Sequence, residues 1–175
     1  MVAAAARDVR LVHLSSDIVF DGTRGGYRED DPVSPVHAYG RSKAEAERVV
    51  AELHPEAAIV RTSLIYGGPE AGPQERLARE GRRFFVDEIR SPVQVEDLAR
   101  ALLELTELDY AGPLHAGGAD DISRYDLALL LGADPRGIES ANTTPDRAPN
   151  VSLDSSRAAA LLKTRLRGVR EILAG

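Results

Sequence analysis

Apolar positions along the chain fall into short continuous runs separated by longer stretches at helical spacing. Arg10-Leu11-Val12-His13-Leu14 is a compact, largely apolar run, which fits a strand buried on both faces of a parallel sheet better than an amphipathic element. It predicts a strand over 11–14 with Ser15 and Ser16 at its C-terminal end, and His13 as a satisfied core residue. Residues 21–35 are rich in Gly, Asp and Pro and predict a long surface loop, in which the acidic run Glu29-Asp30-Asp31 is solvated. Ser34 and Pro35 stand as N-cap and first residue of a helix reaching about His54, where Pro55 closes it. A competing start takes Ser42 as N-cap of a capping box with Glu45, which would leave Tyr39 outside the helix. The earlier start is preferred. Ala58-Ile59-Val60-Arg61-Thr62-Ser63 then predicts a second buried strand, and strand, helix, strand at crossover spacing imply a parallel α/β sheet.

Beyond Gly67 the alternation continues less cleanly. It predicts a helix over 74–80, a strand over 84–86, and a helix over 95–108 whose inner face is Leu98, Ala101, Leu102 and Leu105. A short strand at 113–116 and helices over 125–131 and 155–163 follow. There is no internal repeat. The strand ends carrying serine and the helix carrying Tyr39 meet at one edge of the sheet, where open α/β folds bind ligands.

Composition narrows the function classes. The 175 residues are 43% hydrophobic and 29% charged, ordinary for one globular domain with a sizeable core. A net charge of −6 and a pI of about 5.3 argue against a nucleic-acid or anionic-membrane surface, which needs clustered cations. Without cysteine there is neither a disulfide framework nor a thiolate metal site, and the cytoplasm is the expected compartment. No span has the apolar length of a membrane helix, and the N-terminus lacks the pattern of a signal peptide.

The chain has two lysines, and Lys43 falls four residues after Tyr39. Residues at i and i+4 share a helical face. An ammonium there stabilises a phenolate and makes the phenol a better acid, as a carbonyl reductase requires.

Four blocks occur in order: His13-Leu14-Ser15-Ser16-Asp17-Ile18-Val19-Phe20-Asp21-Gly22, then Tyr39 to Lys43, then Arg61-Thr62-Ser63-Leu64-Ile65-Tyr66-Gly67, then Arg90-Ser91-Pro92 before Glu96-Asp97-Leu98-Ala99. With Asp146-Arg147-Ala148-Pro149-Asn150 near the end, they resemble the dTDP-4-dehydrorhamnose reductase family of extended short-chain dehydrogenases. The resemblance covers nearly the whole chain. It implies a partial Rossmann-like parallel sheet with helices on both faces and a small C-terminal substrate-binding region. Residues 1–67 would be the C-terminal part of the dinucleotide-binding fold, and 68–175 a substrate region interleaved with the last strands. By position, Ser16, Tyr39 and Lys43 would form the catalytic triad: Ser16 bonds the substrate carbonyl oxygen, Tyr39 protonates it, and Lys43 holds the nicotinamide ribose. Ser15 and Thr62 would join Tyr39 and Lys43 in binding NADPH or NADH. Asp17, Ser63, Arg90 and Pro92 would bind a 4-keto sugar nucleotide.

The match has gaps. No Gly-x-Gly-x-x-Gly occurs, although the family opens with such a turn at a helix N-terminus to receive the pyrophosphate. The sequence therefore reads as the later two thirds of such an enzyme, and the activity of this chain by itself is in question. Ile18 and Leu64 replace aromatic residues that pack on the sugar nucleotide in the rhamnose enzymes. Loss of the neighbouring strand would expose an apolar edge at 11–14, predicting a homo-oligomer or a partner covering that edge. Two other functions fit the scaffold. One is a non-catalytic binding or regulatory module, as in the regulatory subunit of methionine adenosyltransferase, which the chain also resembles. The other is a sugar-nucleotide epimerase or dehydratase, which usually adds acidic residues beside the hydroxyl position.

Overall fold

A computed structural model describes residues 9–81, 83–136, 139–144 and 146–173. In chain order the elements are β1 (Val12–Ser16), a single 3₁₀ turn (Asp17–Val19), α1 (Ala38–Leu53), β2 (Ala58–Thr62), β3 (Ile65–Tyr66) and α2 (Pro73–Arg79). There follow β4 (Arg83–Phe85), β5 (Ile89–Arg90), β6 (Val93–Gln94), α3 (Val95–Thr106), β7 (Gly112–Ala116), β8 (Ile122–Ser123), α4 (Arg124–Leu130), β9 (Glu139–Ala141), α5 (Ser156–Leu161) and α6 (Val169–Leu173).

The central sheet is parallel, in the order β1-β2-β7. Every residue of β2 is buried, as its uninterrupted apolar run requires of a central parallel strand. On one face Val60 and Leu114 pack with Leu98, Ala101 and Leu105 of α3 and with Ala158 and Leu162. On the other, Ile59 and Ala57 meet Val50 of α1. This is an α/β sheet with helices on both faces, and 112–116 supplies a strand to it from the second half of the chain. Register puts Ser16, Thr62 and Ala116 in one row at the C-terminal edge. Among the described residues, β1 pairs only with β2, so it is an edge strand, and Leu14 is exposed on it.

The helix carrying Tyr39 starts later than Ser34-Pro35. The Ser34 N–H is spent on the Val19 carbonyl (2.9 Å), so the chain still runs beside the 3₁₀ turn there. His37 is the actual N-cap, its ring Nδ1 accepting the Gly40 N–H at 3.2 Å. The capping box at Ser42 is likewise ruled out, because α1 is already under way and includes Tyr39. Gly40 is required: a Cβ there would lie 2.4 Å from the Ile18 carbonyl oxygen.

Glu29 departs from the solvated loop expected of it. It is buried, accepts the His115 backbone N–H at 3.1 Å and lies 3.5 Å from Arg157. His13 is half-buried with no hydrogen-bond partner for Nε2. The short pairs β3–β6, β4–β9 and β5–β8 link the second half of the chain to itself and to the sheet edge. No described helix is long and apolar enough to cross a membrane.

Candidate active site at the strand ends

The sheet's C-terminal edge opens into a cavity of about 590 Å³, lined in part by Ser16, Asp17, Tyr39, Ser63, Arg90 and Arg124. β1 ends at Ser16, and the 3₁₀ turn immediately folds Asp17 inward. The Ser16 hydroxyl is 3.1 Å from Asp17 Oδ1. Ser63, just past β2, donates its hydroxyl to Asp17 Oδ2 at 2.6 Å. Burial raises the Asp17 carboxyl above the usual carboxylate range, although Arg90, Ser63, Ser16 and the Ile18 N–H all favour its charge.

Tyr39 lies in the first turn of α1 and is 58% exposed, with its ring at the cavity wall beside that of His37. One turn on, Lys43 Nζ donates to the Leu14 carbonyl at 3.1 Å, tying α1 to β1. The helix is fixed from beneath by a buried ion pair between Glu47 and Arg61 at 2.8 Å. The structure therefore brings Ser16, Asp17, Tyr39, Ser63 and Arg90 to one cavity, with Lys43 on the same helix.

Three expected site residues stand elsewhere. The Thr62 hydroxyl donates to the Ala116 carbonyl at 2.9 Å across the sheet. Pro92 is buried outside the cavity lining, its carbonyl against Gly118. Ser15 is buried in β1, one residue before Ser16, with no hydrogen-bond partner for its hydroxyl.

A charged cluster under the cavity was not anticipated. Glu88 is fully buried and bonded by Arg147, with Nη2 at 3.0 Å and Nε also in contact. Arg124 and Arg90 approach it at 3.7 and 3.8 Å. Burial opposes the charge of Glu88, but Arg147, Arg90 and Arg124 outweigh it and hold the carboxyl below its ordinary range. Arg90 spends its donors on the carbonyls of Ile89, Ala148 and Pro149. Arg147 sits in the closing motif, which was a sequence signal for its position though not for its role. For Arg124 and Glu88 the sequence carries no local pattern.

A parallel sheet covered on both faces, with a cavity at its strand C-termini, defines a Rossmann-like α/β protein. The chain belongs to the RmlD substrate binding domain family, whose model matches residues 1–174. It is 38% identical to a dTDP-4-dehydrorhamnose reductase of Mycobacterium tuberculosis over 98% of this chain and 64% of the reductase. It is 31% identical to methionine adenosyltransferase 2 subunit beta of Bos taurus, over 88% of this chain and 53% of that protein. Among solved structures, dTDP-4-dehydrorhamnose reductase of Bacillus anthracis in complex with NADP superposes with a TM-score of 0.85 at 26% identity, covering 99% of this chain and 67% of that one. The chain thus spans somewhat under two thirds of the curated reductase.

Proposed function

We propose that the chain carries the proton-donating side of an NAD(P)H-dependent reductase site acting on a 4-keto sugar nucleotide of the dTDP-4-dehydrorhamnose type. The observation that carries this reading is the meeting of Ser16 and Tyr39 at one cavity, with Lys43 one helical turn beyond Tyr39. The reductase likeness and the NADP complex of the Bacillus anthracis protein support it.

When bound, the nicotinamide supplies the hydride. Ser16 donates a hydrogen bond to the substrate carbonyl oxygen, and the Tyr39 phenol gives that oxygen its proton as negative charge develops there. The Lys43 ammonium favours the phenolate that remains. Ser15 fits the cofactor side, because its buried hydroxyl is unpartnered and buried polar groups are normally satisfied. Thr62 closes the strand end there without a free hydroxyl. Ser63, Asp17 and Arg90 line the substrate side, and Pro92 is buried outside that lining. Arg90, Arg124 and Arg147 on the lining outnumber the two carboxylates they face, Asp17 and the buried Glu88, and suit an anionic substrate despite the protein's net negative charge.

Tyr39→Phe tests the assignment, since it deletes the proton and little else. NADPH-dependent reduction of dTDP-4-dehydrorhamnose should fall by about 100-fold or more, with the circular dichroism spectrum unchanged. Full turnover in the variant would end the assignment. The likeness to methionine adenosyltransferase 2 subunit beta favours a second reading, a non-catalytic module. On that reading, wild type and Tyr39→Phe would be equally without turnover.

A further inference from the structure

Arg90, Arg124 and Arg147 all line the cavity, but the chain treats them differently. Arg90 donates to the carbonyls of Ile89, Ala148 and Pro149. Arg147 bonds both oxygens of Glu88 and lies over the Phe85 ring, its guanidinium carbon 4.7 Å from the centroid. The Thr143 hydroxyl donates to Glu88 Oε1 as well, at 3.2 Å. Three donors therefore hold the Glu88 carboxylate before Arg124 reaches it.

Arg124 is left over. Its side chain is only 21% exposed, comes no nearer to Glu88 than 3.7 Å, and makes no hydrogen bond among the described residues. A guanidinium carries five N–H donors, and taking them out of water without partners is costly. The backbone fixes its place: the Arg124 N–H donates to the Glu88 carbonyl at 2.9 Å, where β8 runs into α4. A cation in the first turn of a helix also opposes the helix dipole, so local propensity does not account for it. Burial lowers the Arg124 guanidinium, Arg90 and Arg147 add to that, and Glu88 and Asp17 only partly offset it. A guanidinium stays charged all the same. The cavity wall thus carries a charged fork with its donors unspent.

We propose that Arg124 is the cation that grips the substrate: its free donors take the diphosphate of the sugar nucleotide, while Arg90 and Arg147, spent on the chain, form the frame around Glu88 that holds it in place. The class of ligand rests on the reductase reading above. A diphosphate offers paired oxygens that a guanidinium holds with two parallel hydrogen bonds, and its negative charge offsets the excess of arginine over carboxylate in this wall. Ser16 and Tyr39 line the same cavity, so a ligand held at Arg124 presents its sugar to the reducing side.

The test is isothermal titration of dTDP into the 175-residue chain and into Arg124→Gln and Arg124→Lys, with NADPH titrated alongside and the melting temperature of each unliganded protein recorded. Arg124→Gln should weaken dTDP binding about 10- to 100-fold, as the loss of a charge-assisted hydrogen bond does. Arg124→Lys should lose less, since it keeps the charge without the fork. NADPH affinity should be the same in all three proteins, which separates the substrate's diphosphate from the cofactor's. Arg124→Gln should melt no lower than wild type, because it removes a side chain on which the fold spends no hydrogen bond. Equal dTDP affinity in wild type and Arg124→Gln, a wild type that binds no dTDP, or a loss that falls on NADPH instead would overturn the proposal. A lower melting temperature would overturn it by making Arg124 a structural counter-ion of Glu88. The titration needs no turnover, so the two readings fail separately. Binding of dTDP through Arg124 in a chain that reduces nothing ends the reductase reading alone, whereas turnover lost in Tyr39→Phe, with dTDP indifferent to Arg124, ends this assignment alone.

Discussion

The placement of Ser16 and Tyr39 at one cavity, with Lys43 on the same helix, was readable because each stands in a local pattern: a hydroxyl after a buried run, and a phenol and ammonium one helical turn apart. Glu88 had no such pattern, since its strongest partner, Arg147, lies 59 residues away. Its burial nonetheless decides much of the cavity floor. Glu88→Gln leaves Arg90, 5% exposed, without a full counter-charge, and breaking a buried pair typically costs about 3 kcal/mol or more. The sign with pH follows from the lowered Glu88 carboxyl. A carboxyl lowered by folding adds stability above its unfolded value, near 4.5, and that stability is lost as pH falls through the folded value. Thermal unfolding should therefore show Glu88→Gln well below wild type at pH 7, with the gap narrowing in acid. A gap that stays constant between neutral and acid pH would contradict the role of Glu88 as the arginines' counter-ion.

At the scale of elements, the long runs gave themselves away and the short ones did not. β1, β2, α1 and α3 fall within a few residues of their expected bounds, because continuous apolar runs mark buried parallel strands and apolar positions at period 3.6 mark a helix face. The two-residue strands β3, β5, β6 and β8 are too short to show any period. α1 starts later than the capping pattern predicts because Ser34 is held by Val19, a tertiary contact that outweighs its capping propensity. β1 carries the element-scale prediction. A parallel strand whose second edge is unpaired among the described residues, with Leu14 exposed on it, invites pairing, so the chain should self-associate through that edge. Light scattering at micromolar concentration should report a species larger than the monomer. A monodisperse monomer would contradict this.

On the scale of the whole molecule, the sheet is the frame that makes distant residues neighbours. Register sets Ser16, Thr62 and Ala116 in one row, α1 rests on one face through Val50 and Glu47, and α3 seals the other. The second half of the chain reaches back through Ser91 and Arg90 to close the cavity around Asp17. The sequence blocks predicted this convergence only through their family order, since nothing local says that Ser63 and Ser91 touch. The measurement that tests the account most directly is titration of NADPH and NADH into the purified 175-residue chain, followed by reduced-nicotinamide fluorescence, with Lys43→Ala alongside. The account predicts saturable binding that is lost in the variant. Absence of binding in the wild type, or equal binding in both proteins, would contradict it.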